Sequence, residues 1–116
     1  MVTYMDGKWL DDADATVSVR CRALNYGMGC FGGVRGYLAD DGNEVFVFRL
    51  DAHVRRLQHS ARILHLRLPG DLDEVSKIHT ELLRRNEAHP LEPWFAVFFG
   101  IFLSYLQSPP KNSRGG

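Results

Sequence analysis

The most constraining feature of this sequence is a glycine-rich stretch, residues 25–37, in which aromatic side chains and an arginine stand among glycines. Four of these glycines fall within seven positions, at Gly27, Gly29, Gly32 and Gly33. Glycine lets a backbone pass close to a ligand or adopt a positive φ. Aromatic rings and the guanidinium of Arg35 beside such a backbone suggest a surface that faces a flat, anionic molecule. The alternative is a bend that enters a strand, with the aromatics in the core.

The same stretch reads Tyr-Gly-x-Gly-x-Phe-x-Gly-x-Arg-x-Tyr from residue 26 to residue 37. This pattern resembles the N-terminal signature of the class IV (fold type IV) pyridoxal-phosphate aminotransferases, and of the branched-chain aminotransferases in particular. The similarity continues upstream in 5–9 and 14–19 and downstream in 47–57 and 60–64, so that it covers residues 3 to 88. One departure is local, because Gly32 stands where the family usually has glutamate.

The resemblance implies the small N-terminal domain of an enzyme that uses pyridoxal 5'-phosphate to transfer an amino group between an amino acid and a 2-oxo acid. It also implies a homo-oligomer, or a partner domain, around that domain. Members of the family are considerably longer, and the lysine that holds their cofactor lies in a second domain. Lys8, Lys77 and Lys111 are the lysines of this chain, and none has a matching context. We therefore expect a truncated, inactive aminotransferase.

The resemblance carries roles to three residues of this chain. Arg56 matches the arginine of the His-x-x-Arg-Leu junction, which binds the cofactor phosphate in the family, and a guanidinium suits that role because it binds phosphate oxygens bidentately. Phe31 and Tyr26 match aromatic positions that line the substrate side chain, with Tyr26 acting across a dimer interface. The alternatives are a surface arginine and ordinary core aromatics. Arg35 and Tyr37 match the signature without an assigned role.

A second departure lies in 93–100, where the family often supplies a tyrosine and an arginine and this chain has neither. Recognition of the substrate carboxylate in the usual family manner is therefore not expected.

Composition excludes several classes of function. The chain has 116 residues, enough for one domain, and its 14 basic and 14 acidic residues cancel. Nothing in that balance calls for nucleic acid or an anionic membrane. Two cysteines form no disulfide framework, and no Cys/His spacing of the zinc type occurs, so no metal site is expected. The N-terminus shows no signal-peptide pattern, which predicts a cytoplasmic protein.

Local patterns predict an α+β fold, with an antiparallel sheet covered by two helices. Hairpins are predicted at 2–10, around Asp6-Gly7, and at 30–49, around 40–43; a short strand is predicted at 16–19 and a turn or helical turn at 20–25. An apolar stripe predicts a helix from about Leu50, capped by Asp51, to just before Pro69. A second helix begins at Asp71 with Glu74 in a capping box, and Val75, Ile78 and Leu82 form its buried face.

The apolar run 94–106 predicts a buried strand, and the polar residues 107–116 predict a disordered tail after a domain spanning 1–106. Two functional hypotheses remain open. One is the N-terminal part of an aminotransferase. The other is a non-catalytic assembly or binding module that kept the fold and pairs with a partner chain through 94–106.

Overall fold

A computed structural model of the chain describes residues 1–86 and 96–101. In chain order it contains β1 (Val2–Met5), β2 (Lys8–Asp11), α1 (Arg22–Tyr26), β3 (Phe31–Leu38), β4 (Val45–Val47), α2 (Leu50–Ile63), α3 (Leu72–Asn86) and β5 (Ala96–Ile101). Strands β1 and β2 form one antiparallel sheet, and the second sheet has the order β4-β3-β5. The predicted α+β class is confirmed, although the strands belong to two small sheets rather than to one.

The first hairpin turns at Asp6 and Gly7, which both have positive φ, at 52° and 78°. Two positive φ values in a two-residue loop define the type I′ turn, whose twist matches that of the strands. Strand pairing runs from Met5 opposite Lys8 to Val2 opposite Asp11. The Asp-Gly signal therefore predicted this turn correctly.

Strand β3, which carries most of the glycine-rich stretch, is the centre of the second sheet. It pairs antiparallel with β4, where Tyr37 lies opposite Phe46, and with β5, where Gly32 lies opposite Gly100. The predicted hairpin around 40–43 is confirmed. The strand predicted at 16–19 is wrong, because this segment is irregular and ends in a turn before α1. Of the predicted strand 94–106, only 96–101 is described, and the predicted tail 107–116 lies outside the described residues.

Helix α2 begins where predicted but not with the predicted cap. Arg49 precedes it with left-handed angles, φ 50° and ψ 49°, and no side-chain capping bond forms. The chain leaves β4 through a turn that starts the helix at Leu50, so Asp51 sits inside the first turn. At this position its negative charge still interacts favourably with the positive end of the helix dipole. Val54, Leu57 and Ala61 are buried and form the core-facing side of the helix.

Helix α2 ends at Ile63, earlier than its apolar stripe predicts. His65 has φ 55°, its N–H binds the carbonyl of Arg62, and the N–H of Leu66 binds the carbonyl of Ala61. These two bonds are a Schellman motif, which closes a helix through a left-handed residue. Beyond it, Leu64, Leu66 and Leu68 are half-buried and alternate with exposed residues. Residues 66–68 are irregular, so the apolar stripe does not continue as a helix.

Helix α3 opens with the predicted capping box. The Glu74 carboxylate accepts the N–H of Asp71 at 3.0 Å, and the Asp71 carboxylate accepts the N–H of Glu74 at 2.9 Å. Its buried residues are Val75, His79, Leu83 and Asn86. Of the predicted face, Val75 is buried, whereas Ile78 and Leu82 are only half-buried.

The end of α3 holds the first hairpin through a side-chain amide. Asn86 accepts the N–H of Val2 at 2.8 Å and donates to the Val2 carbonyl at 2.9 Å, as a strand neighbour would. Beside it the Arg85 guanidinium lies 4.3 Å from the ring centre of Trp9, in a cation–π contact. Tyr4 packs against the same ring. No helix among residues 1–86 and 96–101 is long and apolar enough to cross a membrane.

Candidate functional site

The two faces of β3 differ because side chains alternate along a strand. Val34 and Gly36 are buried, and Gly32 faces α2, where a Cβ added to it would lie 3.6 Å from Leu57 Cδ1. Phe31, Arg35 and Tyr37 lie on the other face and are exposed. We call the residues 31, 33, 35 and 37 the outer face of β3. It presents aromatic rings and a guanidinium around a glycine backbone, as the glycine-rich stretch suggested.

A cleft of about 170 Å³ opens on this outer face. It is lined by Gly33, Arg35, Tyr37, Phe48 and His53. The first three come from β3, Phe48 follows β4, and His53 lies in the first turn of α2. The cleft therefore forms where the central strand, the turn after β4 and the start of α2 meet.

Arg56 lies one helical turn beyond His53 on α2. Residues three apart on a helix are neighbours on its surface, so Arg56 and the cleft residue His53 share one side of the helix. The guanidinium of Arg56 is exposed and makes no ion pair with any residue in the described part of the chain. Arg55, by contrast, pairs with Asp51 at 3.7 Å. Of the two adjacent arginines, Arg56 is the one without an ion pair among the described residues.

The predicted aromatic residues are both exposed, but they occupy different places. Phe31, 73% exposed, belongs to the outer face of β3. Gly32, the residue after Phe31, lies close to Leu57, the residue after Arg56. The part of β3 that carries Phe31 therefore lies next to the part of α2 that carries Arg56. Tyr26, 76% exposed, ends α1 just before Gly27, whose φ of 63° closes that short helix. Neither aromatic is a core residue in this structure, and neither lines the cleft.

No role was predicted for the cleft residues Tyr37, Phe48 and His53, and Arg35 was predicted only as part of a surface that faces a flat, anionic molecule. Two sequence spacings could have indicated that these residues lie near the predicted site. Alternation along β3 places 31, 33, 35 and 37 on one face, and the spacing of three between His53 and Arg56 places them on one side of α2. What the sequence did not show is that Phe48 and His53 line one cleft together with residues of that face.

The chemistry of these groups fits one end of a phosphorylated cofactor. An exposed, unpaired guanidinium can bind phosphate oxygens, and the aromatic outer face is suited to a flat ring. The described lysines do not suit covalent attachment, since both are exposed and Lys77 is held by Asp73 at 2.8 Å. No group of three or more His, Cys, Asp or Glu side chains within 1–86 and 96–101 is placed to hold a metal ion.

Comparison with known proteins identifies the family. The sequence pattern described as Amino-transferase class IV matches residues 29–113, which is most of the chain. The chain belongs to the class IV aminotransferases. The match includes the outer face of β3, the cleft and Arg56, and it confirms the resemblance to this family.

Individual class IV aminotransferases align with this chain over part of their own length. The branched-chain-amino-acid aminotransferase of Pseudomonas aeruginosa is 36% identical over 99 residues, which are 85% of this chain and 32% of that protein. The solved branched-chain aminotransferase of Thermoproteus uzoniensis with norvaline has a TM-score of 0.68 at 41% identity, covering 74% of this chain and 28% of its own. The chain thus spans about a third of the relatives it matches.

The branched-chain amino acid aminotransferase of Thermobaculum terrenum is similar at 27% identity, with a TM-score of 0.61 over 70% of this chain and 26% of its own. Its structure has been solved in the PLP-form, which is its holo-form. These alignments confirm that the fold seen here is that of the corresponding part of fold type IV aminotransferases.

Proposed function

We propose that this chain is the N-terminal part of a pyridoxal 5'-phosphate-dependent branched-chain amino acid aminotransferase, and that it contributes the phosphate-binding arginine and one wall of the substrate site. The observation that carries the proposal is Arg56 at the family's His-x-x-Arg-Leu position, exposed on α2 and without an ion pair among the described residues. The domain proposed for this role spans residues 1–106.

In this proposal, each residue acts through binding. Arg56 donates two hydrogen bonds to phosphate oxygens and fixes one end of the cofactor. Phe31 supplies an apolar surface for the aliphatic side chain of the substrate. When bound, pyridoxal 5'-phosphate supplies the electron sink on which amino transfer depends.

Tyr26 completes the wall from a second copy of the chain in this proposal. Its ring is exposed at the end of α1, and Val19 and Leu24 beside it are exposed as well. Apolar side chains concentrated in one short segment are typical of a protein interface. We therefore propose a homo-oligomer in which Tyr26 of one copy reaches the site of another.

The described lysines explain why we expect no turnover from the 116-residue chain alone. A lysine that attacks a carbonyl must lose its proton, which desolvation or a neighbouring cation promotes. Lys77 has the opposite environment, because its hydrogen bond to Asp73 raises its pKa. The purified chain should therefore not transfer amino groups from leucine to 2-oxoglutarate, and measurable turnover would contradict this.

The experiment that tests the cofactor role compares two adjacent arginines. Titration of the purified chain with pyridoxal 5'-phosphate, followed by protein fluorescence, gives an affinity for the original sequence, for Arg56→Ala and for Arg55→Ala. We expect Arg56→Ala to weaken binding by about 1.5–3 kcal/mol, the value of a charge-assisted hydrogen bond. Arg55→Ala should change little because that side chain is paired with Asp51.

Equal losses in both variants would mean that only bulk positive charge matters, and would refute the clamp. No binding in any variant would favour the second hypothesis, a non-catalytic assembly module. The exposed apolar residues between 17 and 31 support this second hypothesis, because such side chains often contact a partner chain.

A further inference from the structure

The last turn of α3 holds the N-terminal hairpin, β1 with β2, through two contacts that the proposed function does not use. The first is made by Asn86, which is 8% exposed. Its amide oxygen accepts the N–H of Val2 at 2.8 Å, and its amide nitrogen donates to the carbonyls of Val2 and Leu82 at 2.9 Å each. The bond to Leu82 fixes the side chain on its own helix, so the amide is already oriented toward the hairpin.

The two bonds to Val2 place the Asn86 amide where a third strand would lie. Along a strand, the backbone groups of neighbouring residues point to opposite edges. The carbonyl of Met1 accepts the N–H of Asp12 at 2.9 Å, so the backbone groups of Met1 point toward β2 and those of Val2 point away from it. At this outer edge the amide supplies one acceptor and one donor, as a paired strand residue does. Helix α3 thus takes the place of a neighbouring strand for a two-stranded sheet.

The second contact is made by Arg85, the residue before Asn86. Its guanidinium lies 4.3 Å from the ring centre of Trp9 on β2. The Glu81 carboxylate accepts a hydrogen bond from Arg85 Nε at 2.7 Å, which orients the guanidinium. Tyr4 of β1 packs on the same ring, with the ring centres 4.7 Å apart. One helical turn therefore holds β1 through its backbone and β2 through an aromatic side chain.

The hairpin depends on these contacts because a two-stranded hairpin is marginally stable in water on its own. No residue of β1 or β2 is fully buried. Strand β1 packs on α3, whereas β3 packs on β4, β5 and α2. The hairpin is therefore attached to the described part of the chain mainly through α3.

We propose that the N-terminal hairpin is a latch, which closes on the last turn of α3 through Asn86 and Arg85 and opens as one unit while the β4-β3-β5 sheet and α2 stay folded. Regions with few buried apolar contacts open locally at a lower free energy than the core. The next described element after Asn86 is β5, the partner of the glycine-rich strand β3. The closed latch therefore fixes the end of α3 from which the chain continues to β5. This inference does not depend on cofactor binding.

Hydrogen exchange followed by NMR on the ¹⁵N-labelled 116-residue chain tests the latch without any substitution. The amides of Val2, Thr3 and Leu10 should share one protection factor, because one opening exposes them together. That factor should be at least about tenfold below the protection of Val54 and Leu57 in the core of α2. Hairpin amides that are protected as strongly as these core amides would show that the hairpin opens only with the whole fold, and would overturn the inference.

Two variants open the latch to different degrees. Asn86→Ala alone should speed the exchange of Val2 and Thr3 at least about tenfold, because it leaves two backbone groups of Val2 without partners. Adding Arg85→Ala removes the cation from Trp9 as well. In this double variant the NMR signals of residues 2–11 should move to random-coil positions, while those of β3 and α2 keep their dispersion.

Asn25→Ala is the matched control, because the Asn25 amide also binds a backbone carbonyl, that of Val19 at 2.7 Å, but does so from α1. It should leave the exchange of residues 2–11 unchanged, since a hairpin that opens on its own is insensitive to a change in global stability. Faster hairpin exchange in this control, hairpin signals that stay in place in the double variant, or loss of the β3 and α2 signals together with them would each overturn the inference.

Discussion

Gly70 lies next to the carboxylate that caps α3, and its small size preserves that cap. A Cβ added there would collide with the Glu74 carboxylate and lie 2.9 Å from Glu74 Cβ. The Glu74 side chain would have to move, and the N–H of Asp71 would lose its partner. We expect Gly70→Ala to lower the free energy of unfolding by about 1 kcal/mol, the usual value of an N-terminal cap. Urea unfolding monitored by circular dichroism measures this.

Gly33→Ala is the control for that substitution. No atom lies within 4 Å of a Cβ added at Gly33, and the φ of Gly33 is not positive, so alanine fits there without strain. The substitution also restricts the backbone of the unfolded chain. Its stability should stay unchanged or rise slightly. A loss at Gly33 as large as that at Gly70 would show that the Glu74 contact is not the cause.

Single residues also show where sequence reasoning succeeded. The exposure of Phe31 and of Arg56 agrees with their predicted binding roles, and those roles stay predictions. The predicted capping role of Asp51 is wrong, because Arg49 occupies the cap position in a left-handed conformation that depends on how the chain leaves β4. The cleft depends on separate segments that only the folded chain brings together, so its composition could not be read from any one motif.

Among the elements, α3 carries the clearest pH dependence. Hydrogen bonds from Arg84 and then from Arg85 lower the pKa of Glu81 to about 2, from an ordinary value of 4.5. A carboxyl whose pKa is lower in the folded state stabilises that state above its unfolded pKa, and the contribution disappears as pH falls through the folded pKa. The contribution of Glu81 should therefore be complete above about pH 4.5 and absent below about pH 2.

Comparison of the original chain with Glu81→Gln tests this dependence. The other carboxyl groups are the same in both proteins, so their contributions cancel in the difference. The difference in melting temperature between the two should be present well above pH 4.5 and shrink between pH 4.5 and pH 2. Added salt should reduce it, since these charges are exposed to screening. A difference that does not vary with pH would assign the effect to helix packing instead.

Elements were predictable as far as local patterns determine them. The type I′ hairpin and the Asp71–Glu74 capping box form from a few adjacent residues, and both were predicted. The end of α2 was not, because Leu64 and Leu68 continue the helical spacing although the helix stops at Ile63. The Schellman motif at His65, where a glycine is usual, decides between these two patterns.

At the scale of the molecule, several strongly exposed apolar side chains fall close together in sequence, in the segment that leads into β3. Val19, Leu24, Tyr26 and Phe31 are each between 66% and 78% exposed. We call these four residues the apolar segment surface. Sequence analysis placed the association surface in 94–106, whose side chains the structure does not describe, whereas the described part of the chain shows a second surface of the same kind. Exposed apolar side chains that lie together on a surface mark contacts with other proteins.

We therefore predict that the purified chain self-associates through the apolar segment surface. Sedimentation velocity should show a mean mass that rises with protein concentration. The double variant Leu24→Ser with Tyr26→Ser should shift this rise to higher concentration, because each change removes exposed apolar area from the contact. Both side chains are exposed, so the fold should be retained, and circular dichroism checks this.

The matched control places the same chemical change elsewhere on the surface. Phe46 on β4 and Phe48 after it are exposed by 57% and 71%, and Phe46→Ser with Phe48→Ser removes two apolar side chains outside the apolar segment surface. If association depends on that surface, this control should associate like the original chain. Equal loss of association in both double variants would mean that general hydrophobicity drives it. Loss in the control alone would place the contact at β4 and the cleft wall, and a concentration-independent monomer would show that the apolar segment surface does not drive self-association.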